Sequence, residues 1–159
     1  MVSHPRRKKG GPTRSRELTD VGAISPDVRS RMMRSIRKKD TGPEREVRRA
    51  LRKLGYGYRL HAAELPGHPD IVMRGRRKAI FVHGCFWHQH DGCRLAKKPS
   101  ARPEYWLPKL ARNVERDRAA LKALAALGWT SLVVWECEVS SEEGLIWRLQ
   151  EFLRDDGTA

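Results

Sequence analysis

The chain has 159 residues, 39% hydrophobic and 33% charged, which is enough for one soluble domain with a hydrophobic core. No apolar run approaches the roughly 20 residues that a membrane span requires, and the basic first 16 residues lack the apolar segment of a signal peptide. Lys and Arg number 33 against 19 Asp and Glu, a formal net charge of +14. This excess predicts an anionic partner, with nucleic acid ahead of an anionic membrane or an acidic protein.

Residues 1–24 are basic and contain glycine and proline, which predicts a disordered arm that adds non-specific DNA affinity. The alternative is a charged tail without a role. Residues 25–155 are predicted to form a single domain, whose first helix begins at Ser25-Pro26. Met33 and Ile36 on this basic helix are typical either of an ordinary amphipathic element or of a wedge inserted into DNA.

The next helix has a clear beginning and end in the sequence. Thr41 and Glu44 fit a capping box, and Gly55 marks the end of the helix. Its predicted buried positions are Val47, Ala50, Leu51 and Leu54. Glu44 lies at the start of this buried face, so it is either a cap partner only or an active-site carboxylate.

Three short strands are predicted next, at residues 58–60, 70–73 and 78–82. The turn at residues 74–77 folds the last two into a hairpin. Asp70 then lies opposite Phe81 or Val82, beside the segment that follows the hairpin. A strand-entry aspartate is often a turn residue, but this position also suits a metal ligand.

The segment after the hairpin carries three histidines, two cysteines and two large aromatic residues within residues 83–93. Such a set holds a metal, performs acid–base chemistry or grips a flat ligand. Cys85 and Cys93, with either His88 or His90, supply three zinc ligands. Cys137 completes the tetrahedral set only if its strand lies beside the hairpin.

The cysteines also bear on the compartment, because an odd count of three without a secretory signal favours a reducing environment over a disulfide framework. Buried free cysteines are the alternative to zinc. We therefore expect a cytoplasmic protein with a structural zinc site.

The last part of the chain predicts a helix, a strand and a helix. The long helix is expected to begin near Trp106, because Pro108 is tolerated only in a first turn, and to end at Gly128. A buried strand follows at residues 130–135, and Ser140 or Ser141 caps the final helix. The order of elements predicts an α/β fold with a mixed central sheet flanked by helices.

Several separated motifs resemble the very short patch repair (Vsr) endonucleases, over residues 25–153. The motifs are Asp40-Thr41 with Glu44, Leu65-Pro66-Gly67-His68-Pro69-Asp70, His83-Gly84-Cys85-Phe86-Trp87-His88, Asn113-Val114-Glu115-Arg116-Asp117 and Val134-Trp135-Glu136-Cys137. The resemblance implies a restriction-endonuclease-like fold of the PD-(D/E)XK type. It also implies a Mg²⁺-dependent nick on the 5′ side of the thymine in a T:G mismatch, which deamination of 5-methylcytosine produces.

The resemblance also implies roles for individual residues. Asp70 and the main-chain carbonyl of Val82 would bind Mg²⁺, which prefers oxygen ligands. His88 would be the general base, Glu44 would hold a metal-bound water, and His83 would act near the scissile phosphate. The implied zinc ligands are Cys85, His90, Cys93 and Cys137. The implied DNA-intercalating or DNA-binding residues are Met33, Ile36, Phe86, Trp87, Trp106, Lys109 and Asn113.

The sequence departs from the broader nuclease pattern, because Phe81 and His83 stand where a second acid and a lysine are usual. Some relatives have Thr in place of Val82, which is harmless if the main-chain carbonyl is the ligand. The implied protein is a bacterial, nucleoid-associated monomer that acts on double-stranded DNA with a T:G mismatch, with mismatch-repair proteins as candidate partners. The rival readings are a zinc-stabilised DNA-binding module without catalysis and a same-fold nuclease with other DNA specificity.

Overall fold

The computed structural model describes residues 40–154. The predicted arm and the predicted first helix, with Met33 and Ile36, lie outside these residues. The helices and strands are α1 (Gly42–Lys53), β1 (Arg59–Leu60), β2 (Ile71–Met73), β3 (Lys78–His83), α2 (Pro103–Ala126), β4 (Thr130–Trp135) and α3 (Glu142–Arg154). None of these helices is long and apolar enough to cross a membrane.

The four strands form one mixed sheet in the order β1-β2-β3-β4. β1 and β3 both pair antiparallel with β2, while β3 and β4 are parallel and joined through α2. Ile71 pairs with Ile80, so Asp70, just before β2, falls opposite Phe81. The hairpin, the mixed sheet and the placement of β4 beside the hairpin are as the sequence predicts.

Side chains alternate across the sheet and form a core on each face. One core joins the sheet to α1 and α3 and contains the buried residues Val47, Ala50, Leu51, Ile71, Met73, Ile80, Val134, Leu145, Leu149 and Leu153. The other contains Ala62, Val72, Ala79, Phe81 and Leu124, the last of these on α2. The sheet is therefore flanked by helices, and the carboxyl end of β3 is approached from both layers.

The caps of two helices agree with the sequence signals. The Thr41 hydroxyl oxygen accepts a hydrogen bond from the Glu44 N–H, and the Glu44 carboxylate accepts one from the Thr41 N–H, which completes the capping box. The Ser141 Oγ accepts a hydrogen bond from the Gly144 N–H at 3.2 Å. Ser141, rather than Ser140, therefore caps α3.

The predicted start of α2 near Trp106 is wrong. The helix begins at Pro103 and includes Pro108 as an internal residue. Pro103 supplies a preset φ angle at the first turn, where no N–H partner is needed. Pro108 has no N–H, so the helix lacks the hydrogen bond that this position would make to the Glu104 carbonyl.

Candidate active site and cysteine–histidine cluster

Asp70 is fixed against the end of strand β3. Its Oδ2 accepts a hydrogen bond from the Val82 N–H at 2.7 Å. Val82 lies two residues past Ile80, the partner of Ile71 in the last β2–β3 pair. The N–H and C=O of one strand residue point to the same side, so the Val82 carbonyl is directed to the same edge of the sheet as the Asp70 carboxylate.

The Asp70 carboxyl resists ionisation. Burial raises its pKa from 3.8 to about 6, and the negative charge of Glu44 adds to the rise. The hydrogen bond from Val82 acts in the opposite direction, as do His61 and His88 when they are protonated. A carboxylate with a raised pKa gains from a nearby cation, because the cation removes the electrostatic cost of ionising it.

His88 is paired with a carboxylate on the neighbouring helix. Its Nδ1 lies 2.5 Å from Oδ2 of Asp117 on α2. Burial alone would raise the pKa of Asp117, but the hydrogen bond and charge of His88 outweigh it and lower that pKa. Because the ionised carboxylate can only accept, Nδ1 of His88 carries the proton of the pair, and Nε2 is the proton acceptor when the imidazole is neutral.

His83 lies directly beneath this pair. Its ring stacks on His88 with centroids 3.8 Å apart and an interplanar angle of 12°. Burial, followed by the charge of His88, lowers the pKa of His83 to about 4. His83 is therefore neutral at physiological pH, and its buried ring fixes one face of His88.

A second cluster, the cysteine–histidine cluster, consists of Cys85, His90, Cys93 and Cys137. One ligand atom from each of these residues lies within 4.8 Å of all the others. Nδ1 of His90 is 3.7 Å from Sγ of Cys85 and 3.3 Å from Sγ of Cys137. The geometry brings His90 to the three thiols, whereas His88 groups with His83 and Asp117.

β4 and the residue after it hold the cysteine–histidine cluster together. The His90 ring stacks on Trp135 at 4.2 Å and 4°. The Glu136 N–H donates to the His83 carbonyl at 2.9 Å, and its carboxylate accepts the Cys85 N–H at 3.2 Å. Parallel pairing of β3 with β4 thus delivers Cys137 beside the loop that carries Cys85.

The aromatic group, defined as Phe86, Trp87 and Trp106, lies between the loop after β3 and the start of α2. Its ring centroids are 5.1 to 6.0 Å apart. Trp106 is only 8% exposed, and it packs against the half-buried Phe86 and Trp87. Nδ2 of Asn113 donates to the Trp87 carbonyl at 3.1 Å, so here this amide fixes the loop.

Two residues near Asp70 and His88, namely Asp117 and His61, have no functional role predicted from the sequence. Asp117 is part of a recognised motif, and its spacing from Asn113 places both side chains on one face of α2, but sequence alone does not show that His88 meets that face. His61 donates its N–H to the Asp70 carbonyl at 2.9 Å. Its ring reaches the carboxylates of Asp40 and Glu44, with ligand atoms within 4.8 Å.

Comparison with known proteins agrees with the motifs. Residues 20–94 match the family model described as DNA mismatch endonuclease Vsr. The chain is 48% identical over 130 residues to the type II nicking enzyme V.XorIIP of Xanthomonas oryzae pv. oryzae, covering 82% of this chain and 95% of that protein. It is 43% identical over 137 residues to the DNA mismatch endonuclease Vsr of Escherichia coli K12, covering 83% and 87%. The chain therefore belongs to the Vsr family of DNA mismatch endonucleases.

Proposed function

We propose that this endonuclease hydrolyses one strand of double-stranded DNA on the 5′ side of the thymine in a T:G mismatch, using Mg²⁺. The observation that carries the chemistry is that adjacent residues of β3 hold both groups. The Val82 N–H donates to the Asp70 carboxylate at 2.7 Å, and the His83 ring stacks on His88 with centroids 3.8 Å apart. A carboxylate suited to a metal and an imidazole suited to a proton are thus both fixed at the carboxyl end of β3.

The donors around Asp70 fit a magnesium ion. Asp70 offers carboxylate oxygens and Val82 a main-chain carbonyl on the same edge of the sheet, and hard oxygen donors are what Mg²⁺ prefers. When bound, the ion stabilises negative charge on the phosphate and on the leaving oxygen. The raised pKa of Asp70, about 6, means that protons compete with the metal in mildly acidic solution.

His88 receives the proton of the attacking water in this proposal. With Nδ1 hydrogen-bonded to Asp117, Nε2 carries the available lone pair. Asp117 holds the imidazole in this tautomer and stabilises the imidazolium that forms, as a carboxylate does in other histidine-based sites. Neutral His83 adds no competing positive charge beneath the ring, and we propose that it acts near the scissile phosphate.

Glu44 has two tasks in the proposed mechanism. Its carboxylate belongs to the α1 cap, where Oε1 also lies 3.0 Å from the Thr41 hydroxyl. It is 4% exposed, and its charge contributes to the raised pKa of Asp70. A rigidly held acid beside Asp70 suits the role of orienting a metal-bound water.

We further propose that the cysteine–histidine cluster binds a structural zinc ion and that the fold is of the restriction-endonuclease-like, PD-(D/E)XK type. Three sulfur atoms and one imidazole nitrogen would supply all four ligands of a structural zinc ion, which would leave no open position for substrate or water. Such a site contributes folding free energy by fixing the loop after β3 to the end of β4. It therefore supports His88 without taking part in hydrolysis.

Recognition of the mismatch is assigned to the aromatic group together with Lys109 and Asn113. A T:G wobble pair stacks less well than a matched pair, so inserting rings beside it costs less free energy. Met33 and Ile36, outside the described residues, are proposed to approach from the other groove. The net charge of +14 supplies the affinity for the phosphate backbone.

A duplex with one T:G mismatch and a different label on each strand tests the proposal. With Mg²⁺, the expected product is a single cut in the thymine strand, 5′ to the mismatched thymine, with the T:A duplex and EDTA reactions as controls. No cut with any divalent metal would favour a DNA-binding module without catalysis. Equal cutting of the T:A duplex would favour a nuclease of different specificity.

Asp117→Asn tests the assignment of His88 separately. The amide cannot fix the same tautomer or stabilise the imidazolium, so we expect the nicking rate to fall by about 100-fold or more. Binding of the mismatched duplex should stay near that of the unmodified protein. A rate within a few-fold of the unmodified protein would remove the pair from the mechanism.

A further inference from the structure

Tyr105 is an exposed aromatic residue beside the aromatic group. It is 50% exposed, whereas the adjacent Trp106 is 8% exposed. The two rings meet edge to face, with centroids 5.1 Å apart at 83°. Before DNA binds, Tyr105 therefore offers a more accessible ring surface than Trp106.

Tyr105 also forms one wall of a cage around a lysine. Nζ of Lys109 lies 5.5 Å from the Tyr105 ring centroid and 5.6 Å from those of Trp87 and Trp106. The Arg102 guanidinium carbon lies 5.6 Å from the centroid of Tyr105. An ammonium group at these distances is attracted to the ring faces.

A caged ammonium and a stacked base compete for the same surfaces. DNA bases stack on ring faces, and those faces are where the Lys109 ammonium is held. A base that enters between these rings must displace the ammonium. Phosphate and base-edge oxygens of the duplex then offer the displaced cation a new set of partners.

We propose that Tyr105 is a further DNA-contacting residue and that its contact with the duplex releases Lys109 from the cage of Trp87, Tyr105 and Trp106. The substrate in this inference rests on the proposed function. A contact with DNA would explain why the half-exposed Tyr105 ring lies between two cations, Arg102 and Lys109. In this proposal the Lys109 ammonium contacts the duplex only after a DNA base has occupied the ring faces.

Equilibrium binding of a fluorescein-labelled T:G duplex, measured by anisotropy in Mg²⁺-free buffer to prevent nicking, tests the contact. We expect Tyr105→Ala and Tyr105→Leu to weaken binding by about tenfold and Tyr105→Phe by about twofold or less. Trp147→Ala is the matched control, because Trp147 is 63% exposed on α3, and its affinity should not change. Zinc content and melting temperature establish that each variant is folded.

The contact is wrong if both Tyr105→Ala and Tyr105→Leu bind within about twofold of the unmodified protein, or if Trp147→Ala weakens binding equally. The T:A duplex separates this result from the proposed specificity. Equal binding of T:G and T:A duplexes by the unmodified protein would count against mismatch recognition. The Tyr105 variants would still reveal a contact with either duplex.

Release of Lys109 has its own readout. Lysines methylated with ¹³C-formaldehyde give separate NMR signals, and the signal absent from Lys109→Arg belongs to Lys109. Ring currents should shift this signal upfield in the free protein, less so in Tyr105→Ala. Saturation with the T:G duplex should remove the upfield shift, and an unchanged signal would overturn the release.

Discussion

The carboxyl end of β3 carries two clusters that differ in almost every physical respect. The cysteine–histidine cluster consists of three sulfurs and one imidazole, all within 4.8 Å and closed on one another. The Asp70 centre consists of oxygen donors and an imidazole that is already paired with Asp117. One arrangement suits a metal that is never released from its ligands, and the other suits a metal that shares its coordination with water and phosphate.

The difference between the clusters shows that the spacing of histidines in the sequence does not reveal which cluster each one joins. His88 and His90 are two residues apart, yet one meets a carboxylate on α2 and the other meets two thiols. What separates them is the local path of the loop, in which His88 N–H donates to the Gly84 carbonyl and His90 N–H to the Cys85 carbonyl. Variants at these positions should therefore fail in different ways.

The largest expected effect is on catalysis. We expect His88→Ala to lower the nicking rate of a T:G duplex by about 100-fold to 10,000-fold, because the proton acceptor is lost. Zinc content and DNA affinity should remain near normal. His90→Ala is the matched variant and should lose zinc instead. Loss of zinc from His88→Ala would show that the two histidines are assigned the wrong way round.

Cys137→Ser should lower the stability of the fold. Removing one of four ligands leaves an incomplete zinc site, so we expect lower zinc occupancy and a loss of stability on the order of 3 kcal/mol. Metal analysis and chemical denaturation measure the two effects. Ser140→Ala is the control, because the Ser140 hydroxyl bonds only the Cys137 carbonyl at 2.8 Å. Unchanged metal content in Cys137→Ser would exclude Cys137 from the site.

Asp70→Asn should separate stability from activity at the other cluster. The pKa of Asp70 is about 6 in the folded protein against 3.8 as the ordinary value, so the folded state binds more protons between these pH values. Stability of the protein without Mg²⁺ should therefore fall as pH rises from about 4 to 6.

The neutral amide of Asp70→Asn removes that fall. In Mg²⁺-free buffer without a chelator at pH 7, we expect this variant to be more stable by up to about 3 kcal/mol, while its nicking activity with Mg²⁺ is abolished. Thermal melts across the pH range measure the difference. A variant that is less stable than the unmodified protein at pH 7 would show that Asp70 is a structural residue.

The smallest expected effect concerns the α1 cap. Thr41→Ala removes the hydroxyl oxygen that accepts a hydrogen bond from the Glu44 N–H. The free energy of unfolding should therefore fall by about 1 kcal/mol. Nicking should change by a few-fold at most, whereas Glu44→Gln should lose most of it. Comparable activity losses in both variants would mean that Glu44 serves only the cap.

Much of this arrangement follows from sequence because short-range rules determine it. Turn residues 74–77 and the alternating strands predict the hairpin, and the hairpin predicts that Asp70 lies near Val82. The capping signals at Thr41 and Glu44 are local in the same way. These features depend only on residues that are close in the sequence, so they can be predicted without knowing the tertiary packing.

Other features depend on packing that the sequence does not reveal. The pairing of His88 with Asp117 depends on how α2 lies across the sheet, and the burial of Trp106 depends on the rings above it. The start of α2 differs from the predicted one because Pro108 lies inside the helix, where proline is usually excluded. The sequence does not indicate that His61 lies near Glu44, because a single histidine outside a helix or strand pattern has no periodicity that would place it.

Parallel pairing of β3 with β4 has a consequence for biosynthesis. A growing polypeptide presents Cys85, His90 and Cys93 first, and it must complete all of α2 and β4 before Cys137 arrives. Docking of that late strand is a long-range event, which is slow compared with forming a hairpin. Until then only three of the four residues of the cysteine–histidine cluster exist, so a truncation before β4 cannot complete the cluster.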